Sequence, residues 1–275
     1  MTSSLLSEVV DLAVRAGGAL LERQRTSPRM DSLSKTARRD LVTVADVESE
    51  ETLKSGLSAL FPEDGIQAEE SGILEGGEST WVVDPLDGTV NFVHGLPMWA
   101  VSLARVDARG PSMAVVHIPR LGETFTALRG EGALLNGTPL QVSTSSELED
   151  SLLATGFPYR RHLLADNNLA NFCRLFLRQR GVRRMGSAAI DLAYTAAGRL
   201  DAFWELHLEP WDVAAGGLLI QEAGGEVGTL RPGGDWIRDG NLVAGPAPLV
   251  DALREVLSRG RPKEWPFLGE NEDGA

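Results

Sequence analysis

Thr80-Trp81-Val82-Val83-Asp84-Pro85-Leu86-Asp87-Gly88-Thr89-Val90-Asn91-Phe92-Val93-His94 is the stretch from which the rest of the chain is read. Thr80 to Val83 reads as a short buried strand that stops at Asp84, because Pro85 has no N–H to continue a sheet ladder. Two carboxylates then fall three residues apart on a tight turn, and Gly88-Thr89 opens a helix. Oxygen-only ligands beside free N–H groups suit a hard divalent cation and the phosphate it holds. Thiolate and imidazole clusters are missing from the stretch, so it points to metal-dependent phosphate chemistry.

A chain of 275 residues can bury a full core as one large domain or two packed lobes. Hydrophobic residues make up 43% and charged residues 24%, ordinary values for a globular protein. No apolar run reaches the length of a membrane span, and the opening residues lack a basic start and a small-residue cleavage site, so a cytoplasmic protein is expected. The lone Cys173 rules out an internal disulfide and is expected as a core thiol in an apolar helical pattern. The net charge of −13 argues against nucleic acid as a main partner, since phosphate backbones require a basic footprint. No glycine-rich loop of the dinucleotide or P-loop type follows a strand. Lysine is scarce (Lys35, Lys54 and Lys263), which makes one near a motif noteworthy.

Helical spacing of Leu5, Leu6, Val9, Val10, Leu12, Ala13, Ala16, Leu20 and Leu21 predicts an opening helix over 4–25, and a second follows over 45–60. Short alternating runs at 99–106, 112–118 and 123–128 predict an antiparallel meander. Beyond residue 150 the rhythm changes to strands at 151–155, 182–185, 201–204 and 241–244, with helices at 165–180, 187–198, 211–223 and 247–259. Two closely packed lobes are therefore expected: 1–147, α+β, with most of the acidic motif, and 148–265, α/β. A polar tail, 266–275, frays at the end.

Three further acidic sites accompany Asp84 and Asp87. Asp212, after Trp211, begins a helix and has the position of an N-cap as well as that of a ligand. Gly216 and Gly217 in the same helix each cost roughly 1 kcal/mol of helix stability, which implies close backbone packing. Glu69-Glu70 reads as a solvated loop, at least for Glu70. Thr43 and Asp46 have the spacing of a capping box, and a Thr–Asp pair can equally polarise a water. His94 reads as a packing residue, since Mg²⁺ seldom takes imidazole. His207 belongs to the substrate pocket or to an exposed loop. Arg183 and Arg184 face phosphate or a dimer partner.

These strings resemble the inositol monophosphatase family of Mg²⁺-dependent, lithium-sensitive sugar phosphatases. Its metal motif is similar to Trp81-Val-Val-Asp84-Pro-Leu-Asp87-Gly-Thr89, and its second signature to Trp211-Asp212-Val-Ala-Ala-Gly216. Asp40 to Asp46, Ala68 to Ser71, Leu135 to Gly137, Thr155 to Pro158, Gly186 to Ala189, Gly198 to Asp201 and Glu222 to Gly225 extend the likeness over nearly the whole chain. The resemblance implies a layered αβαβα sandwich, a homodimer, and two or three Mg²⁺ per site, with Mn²⁺ as a substitute. It implies Glu69, Asp84 and the Leu86 carbonyl at one metal, Asp84, Asp87 and Asp212 at the second, and Glu69 again at a third. Gly88 and Thr89 would bind phosphate; Thr43, Asp46, Thr89 and Glu69 would serve the attacking water. Asp87, Gly186, Ser187, Ala188, Glu205 and Asp212 would contact the substrate, and Lys35 would lie on a loop near the metals.

The implied activity is hydrolysis of inositol 1- or 4-monophosphate by a metal-activated water. Val90 stands where inositol-preferring relatives usually have a second threonine. The alternatives are esters handled by the wider superfamily (fructose 1,6-bisphosphate, histidinol phosphate, 3′-phosphoadenosine phosphate) or a regulatory scaffold that binds a macromolecular partner.

Overall fold

The computed structural model describes residues 3–26, 33–34, 41–230 and 232–258. Lys35 and the 266–275 tail lie outside the described residues. In chain order the first half is α1 (Ser3–Thr26), β1 (Leu33–Ser34), β2 (Leu41–Val42), α2 (Val44–Leu60), β3 (Gly65–Ala68), β4 (Gly72–Leu74), β5 (Thr80–Asp87), α3 (Thr89–Val93), β6 (Ala100–Asp107), β7 (Gly110–Ile118), β8 (Glu123–Leu128), β9 (Gly132–Leu135) and β10 (Thr138–Pro139). The second half is β11 (Leu152–Thr155), α4 (Leu169–Phe176), β12 (Gly181–Arg183), α5 (Ala188–Ala196), β13 (Ala202–Glu205), α6 (Pro210–Glu222), β14 (Glu226–Thr229), α7 (Trp236–Asp239), β15 (Leu242–Gly245) and α8 (Ala247–Ser258).

Burial patterns of the helices dictate the layering. In α1 only one stripe is buried (Val9, Leu12, Ala13, Ala16, Leu20), so the helix covers a single surface. In α6 every residue from Val213 to Ile220 is buried, so both sides of the helix must meet protein. In α5 the buried run is Ala188 to Ala193. Accordingly α1 and α2 pack on one face of an eight-stranded sheet of order β10-β9-β8-β7-β6-β5-β3-β4, and α5 and α6 lie on its other face. The same two helices contact a five-stranded sheet of order β12-β11-β13-β15-β14, whose far side is covered by α8, with α4 beside it. The fold is the expected αβαβα sandwich. Its apolar clusters fill the three spaces between layers, with Trp81, Trp99 and Phe92 on the α1–α2 side and Trp204 under α8.

Several elements differ from the sequence reading. Strand β5 does not stop at Asp84 but continues to Asp87 through a bulge. Asp84 pairs with Ser102 and Asp87 with Ala100, so β5 carries one residue more than β6 over this interval. Pro85 falls inside the bulge, where a missing N–H costs no ladder bond. Helix α4 covers only 169–176 of the expected 165–180, because Asn168 adopts a left-handed φ of 70° and its side chain turns inward. There Asn168 donates to Thr155 Oγ1 (2.9 Å) and to the Gly156 carbonyl (2.7 Å), and accepts from Trp204 Nε1 (2.9 Å). Cys173 is exposed rather than a core thiol, since α4 buries Leu175 and Asn171 instead. His94 is exposed and is not a packing residue. The strands β3, β4, β9 and β14 were not legible, being three or four residues each.

The glycines of α6 have the close contacts their helix cost implied. A Cβ at Gly216 would run into Leu192 of α5, and one at Gly217 into the Trp236 ring. Gly216→Val should therefore destabilise the protein by about 1–3 kcal/mol through overpacking, read as a lower urea midpoint. Gly18→Ala, on an exposed turn of α1 with nothing within 4 Å of the new methyl, should instead raise stability by roughly 0.5–1 kcal/mol.

Candidate active site

The bulge in β5 is what sets Asp84 and Asp87 side by side. Asp212 arrives from the first turn of α6, where Pro210 occupies N1 and the Asp212 carboxylate accepts from the Glu209 N–H at 2.7 Å. It is thus the third residue of a capping box whose N-cap is Glu209, not an N-cap itself. Carboxylate oxygens of Asp84, Asp87 and Asp212 lie within 4.8 Å of one another. One oxygen of each is already held: Asp84 Oδ1 by the Leu86 N–H (2.9 Å), and Asp87 Oδ2 by Ser187 Oγ (2.6 Å) and the Ala189 N–H (2.7 Å). The bonds to Asp87 join the β5 bulge of one sheet to the start of α5.

Electrostatically the cluster is unsatisfied. Burial, followed by the charges of Glu69, Asp87 and Asp212, raises the Asp84 carboxyl well above its ordinary range. Burial and Asp87 do the same to Asp212. Burial pushes Asp87 up to about 6 despite the Ser187 and Ala189 hydrogen bonds. Three like charges in a poorly hydrated site require a counter-charge, and an all-oxygen donor set matches a hard divalent cation. The residues present therefore fit a metal of that class. Glu69 lines the same cavity and its charge acts on all three aspartates, but it sits outside the 4.8 Å group.

Thr43 and Asp46 form the expected capping box, and Asp46 also reaches Thr89. Asp46 Oδ2 accepts from the Thr43 N–H (2.8 Å) and Oγ1 (2.5 Å), completing the capping box of α2. Its other oxygen accepts from Thr89 Oγ1 at 2.9 Å, which lies 3.1 Å from the Leu86 carbonyl as well. Gly88 caps α3 with φ 97°, and a Cβ there would come within 2.9 Å of the Met98 carbonyl.

A cavity of about 540 Å³ is lined by Glu69, Asp87, Asp212, Gly186, Ser187, Ala188 and Glu205, among others. Glu205 ends β13 and is 7% exposed. Burial lifts its carboxyl to about 8, with Arg184 pulling it down and Asp87 pushing it up. A Cβ at Gly156 would collide with both Glu205 carboxyl oxygens, so the carboxyl lies directly on that backbone. His207 is both exposed and on the cavity wall, its Nε2 2.7 Å from the Asp166 carbonyl. Arg184 lines the cavity too; Arg183 does not.

Three residues escaped the sequence reading. Asp191 lies on the cavity wall, buried, with Oδ1 lacking any hydrogen-bond partner. An acid in the first turn of an otherwise apolar helix was the available signal. Asn91 donates from its amide to the Met98 (2.6 Å) and Met185 (2.8 Å) carbonyls and so ties α3 to the segment before Ser187. Tyr159 reaches the cavity from the loop after β11, where burial and the charges of Asp87, Asp212 and Glu69 raise its phenol above the ordinary range.

The model of the inositol monophosphatase family matches residues 1–259. The chain belongs to this family. A Nus factor SuhB of Pseudomonas aeruginosa is 44% identical over 251 residues, 89% of this chain and 93% of that protein. An inositol-1-monophosphatase of Mesorhizobium japonicum is 40% identical over 260 residues, 94% of this chain and 97% of that protein. Among solved family structures, the inositol monophosphatase of Anabaena (Nostoc) sp. PCC 7120 superposes with a TM-score of 0.85 at 38% identity, covering 94% of this chain and 96% of that one. The extragenic suppressor protein suhB of Bartonella henselae reaches 0.88 at 37% identity, covering 94% and 100%.

The raised Glu205 carboxyl has a consequence for stability. Folding favours its protonated form, so its contribution is complete below the ordinary value of 4.5 and is lost as pH rises through about 8. Chelator-treated protein should lose stability between pH 5 and 8, and Glu205→Gln should flatten that slope by an amount on the order of a few kcal/mol. Urea midpoints of the two proteins at both pH values are the measurement.

Proposed function

We propose that the protein is a phosphate monoester hydrolase of the inositol monophosphatase type, using Mg²⁺ and acting on an inositol monophosphate. The carrying observation is the convergence of Asp84, Asp87 and Asp212 within 4.8 Å beside a cavity that Asp87, Asp212 and Glu205 all line. Glu205 accepts no hydrogen bond among the described residues, as expected of a group that accepts from a substrate hydroxyl instead. Cations held by Glu69, Asp84, the Leu86 carbonyl, Asp87 and Asp212 would neutralise phosphate charge and make a bound water acidic.

The chain's own groups have separable tasks in this reading. Thr89 Oγ1, its proton directed at Asp46, accepts a hydrogen bond from the attacking water, and Glu69 accepts a second. Asp46 is fully buried and acts through Thr89. The N–H groups of Gly88 and Thr89 face the phosphate, while Gly186, Ser187 and Ala188 flank the leaving group. The proposal includes a homodimer in the cytoplasm and a division of the chain at 147/148; among the described residues no helix is long and apolar enough to cross a membrane.

Asp87→Asn removes a ligand charge and little volume. It should lower kcat/KM for inositol 1-phosphate by about 100-fold or more while the melting curve in chelator stays intact. Chelation of the wild type should abolish turnover and Mg²⁺ should restore it. Near-normal turnover by Asp87→Asn would refute the assignment.

A second reading, a regulatory role, draws on the relatives named Nus factor SuhB. It is favoured by the segment 157–187, which holds seven arginines against one acid in a chain of net charge −13. Leu163 (73%), Phe176 (56%) and Leu177 (88%) are exposed in the same segment. Such a surface suits an acidic macromolecular partner.

A further inference from the structure

Of the four acids gathered at the site, only Glu69 comes from a turn. Asp84 and Asp87 stand on β5 and Asp212 on α6, whereas Glu69 begins the three-residue turn, 69–71, that joins β3 to β4. On one flank β3 pairs with β5 as far as Ala68, and the Glu69 N–H donates to the Val83 carbonyl at 3.2 Å. The other flank is β4, a three-residue edge strand exposed along its whole length. Such an edge alone is weak support for a turn.

Further support comes from α2. Glu50 is buried and reaches the turn from inside: its Oε2 accepts from the Glu70 N–H at 2.7 Å and its Oε1 from the Ser71 N–H at 3.0 Å. Lys54, one helical turn further on and one of the chain's three lysines, donates to Ser71 Oγ and stands 4.0 Å from the Glu50 carboxylate. A carboxylate that accepts two successive backbone N–H groups fixes both the place and the direction of the turn, and its charge makes each bond roughly twice as strong as a neutral one. Asp46, Ser49 and Glu50 share one buried face of α2 at spacing i, i+3 and i+4. Asp46 accepts from Thr89 Oγ1, Ser49 donates to the Pro85 carbonyl in the β5 bulge at 3.0 Å, and Glu50 holds the Glu69 turn. One polar stripe thus ties three separate pieces of the site to a single helix.

We propose that Glu50 is a positioning residue that, through the N–H groups of Glu70 and Ser71, holds the Glu69 carboxylate in place to bind a cation together with Asp84, Asp87 and Asp212. This rests on the Mg²⁺-dependent reading above and deepens it, since it assigns to α2 the placement of the one acid that no helix or strand carries.

The experiment compares wild type, Glu50→Gln, Glu69→Gln and the double variant. Glu50→Gln keeps the volume and one acceptor oxygen, so at most one of the two N–H groups stays paired with it. In calorimetric titration of the metal-free proteins, Glu50→Gln should bind Mg²⁺ about tenfold more weakly than wild type, and the double variant no more weakly than Glu69→Gln. At subsaturating Mg²⁺, kcat/KM for myo-inositol 1-phosphate should follow the same pattern. A residue that merely stabilises the hairpin would leave Mg²⁺ affinity unchanged, or its loss would add to that of Glu69→Gln; either result overturns the inference. Mg²⁺ binding that follows the pattern in a wild type that does not turn over the ester supports the inference and refutes the activity assigned above. No Mg²⁺ binding by wild type overturns both. If Glu50→Gln does not fold, wild type decides: Mg²⁺ should slow amide hydrogen exchange at Glu70 and Ser71 by about tenfold, and exchange indifferent to the ion overturns the inference.

Discussion

Like-charge repulsion among Asp84, Asp87 and Asp212 is the interaction on which the rest of the structure depends. Each carboxylate is half-tied by a group from a different place in the chain: the Leu86 N–H in the bulge, Ser187 and Ala189 at the start of α5, and the Glu209 N–H before α6. Bringing those three places together requires both sheets to pack on the same pair of helices. That explains why α5 and the middle of α6 are buried on nearly every side, and why α6 tolerates two glycines in the middle. Burial raises the cost of the repulsion, and a hard divalent cation would relieve it, so the geometry suits such an ion.

Much of this was legible in the chain. Asp84, Asp87 and Asp212 could be picked out because carboxylates beside Pro85, Gly88 and Pro210 occur at places where regular structure begins or ends. The long helices could be read because Val9, Leu12, Ala16 and Leu20 repeat at helical spacing. What could not be read depends on contacts between distant residues. Pro85 suggested a strand end, and only the partner strand β6 turns that signal into a bulge. Asn168 looked like one more helical residue until Thr155 and Trp204 offered it hydrogen bonds. Asp191 and Asn91 drew no reading from the sequence, because they belong to the cavity and its frame only once the layers close.

Family membership leaves room for divergence on the outside of this frame. The carboxylate cluster sits on β5 and α6, deep in the stack, whereas the arginine-rich segment 157–187 lies mostly in loops and the short α4. Its exposed side chains, Leu163, Phe176 and Leu177 among them, make none of the bonds that gather the aspartates. Relatives bearing the names of a phosphatase and of a Nus factor are compatible with one scaffold whose interior is constrained and whose rim is free to change.

The two hydrogen bonds that Asp87 accepts from Ser187 and Ala189 join the carboxylate cluster to the cavity wall. Any force on Asp87 is felt by the start of α5, where Ser187 and Ala188 line the cavity. Linkage then requires reciprocity: whatever factor an ion adds to the affinity for an ester, the ester must return to the affinity for the ion. Under the proposed function, coupling between ion and ester would run through these two hydrogen bonds, within one subunit.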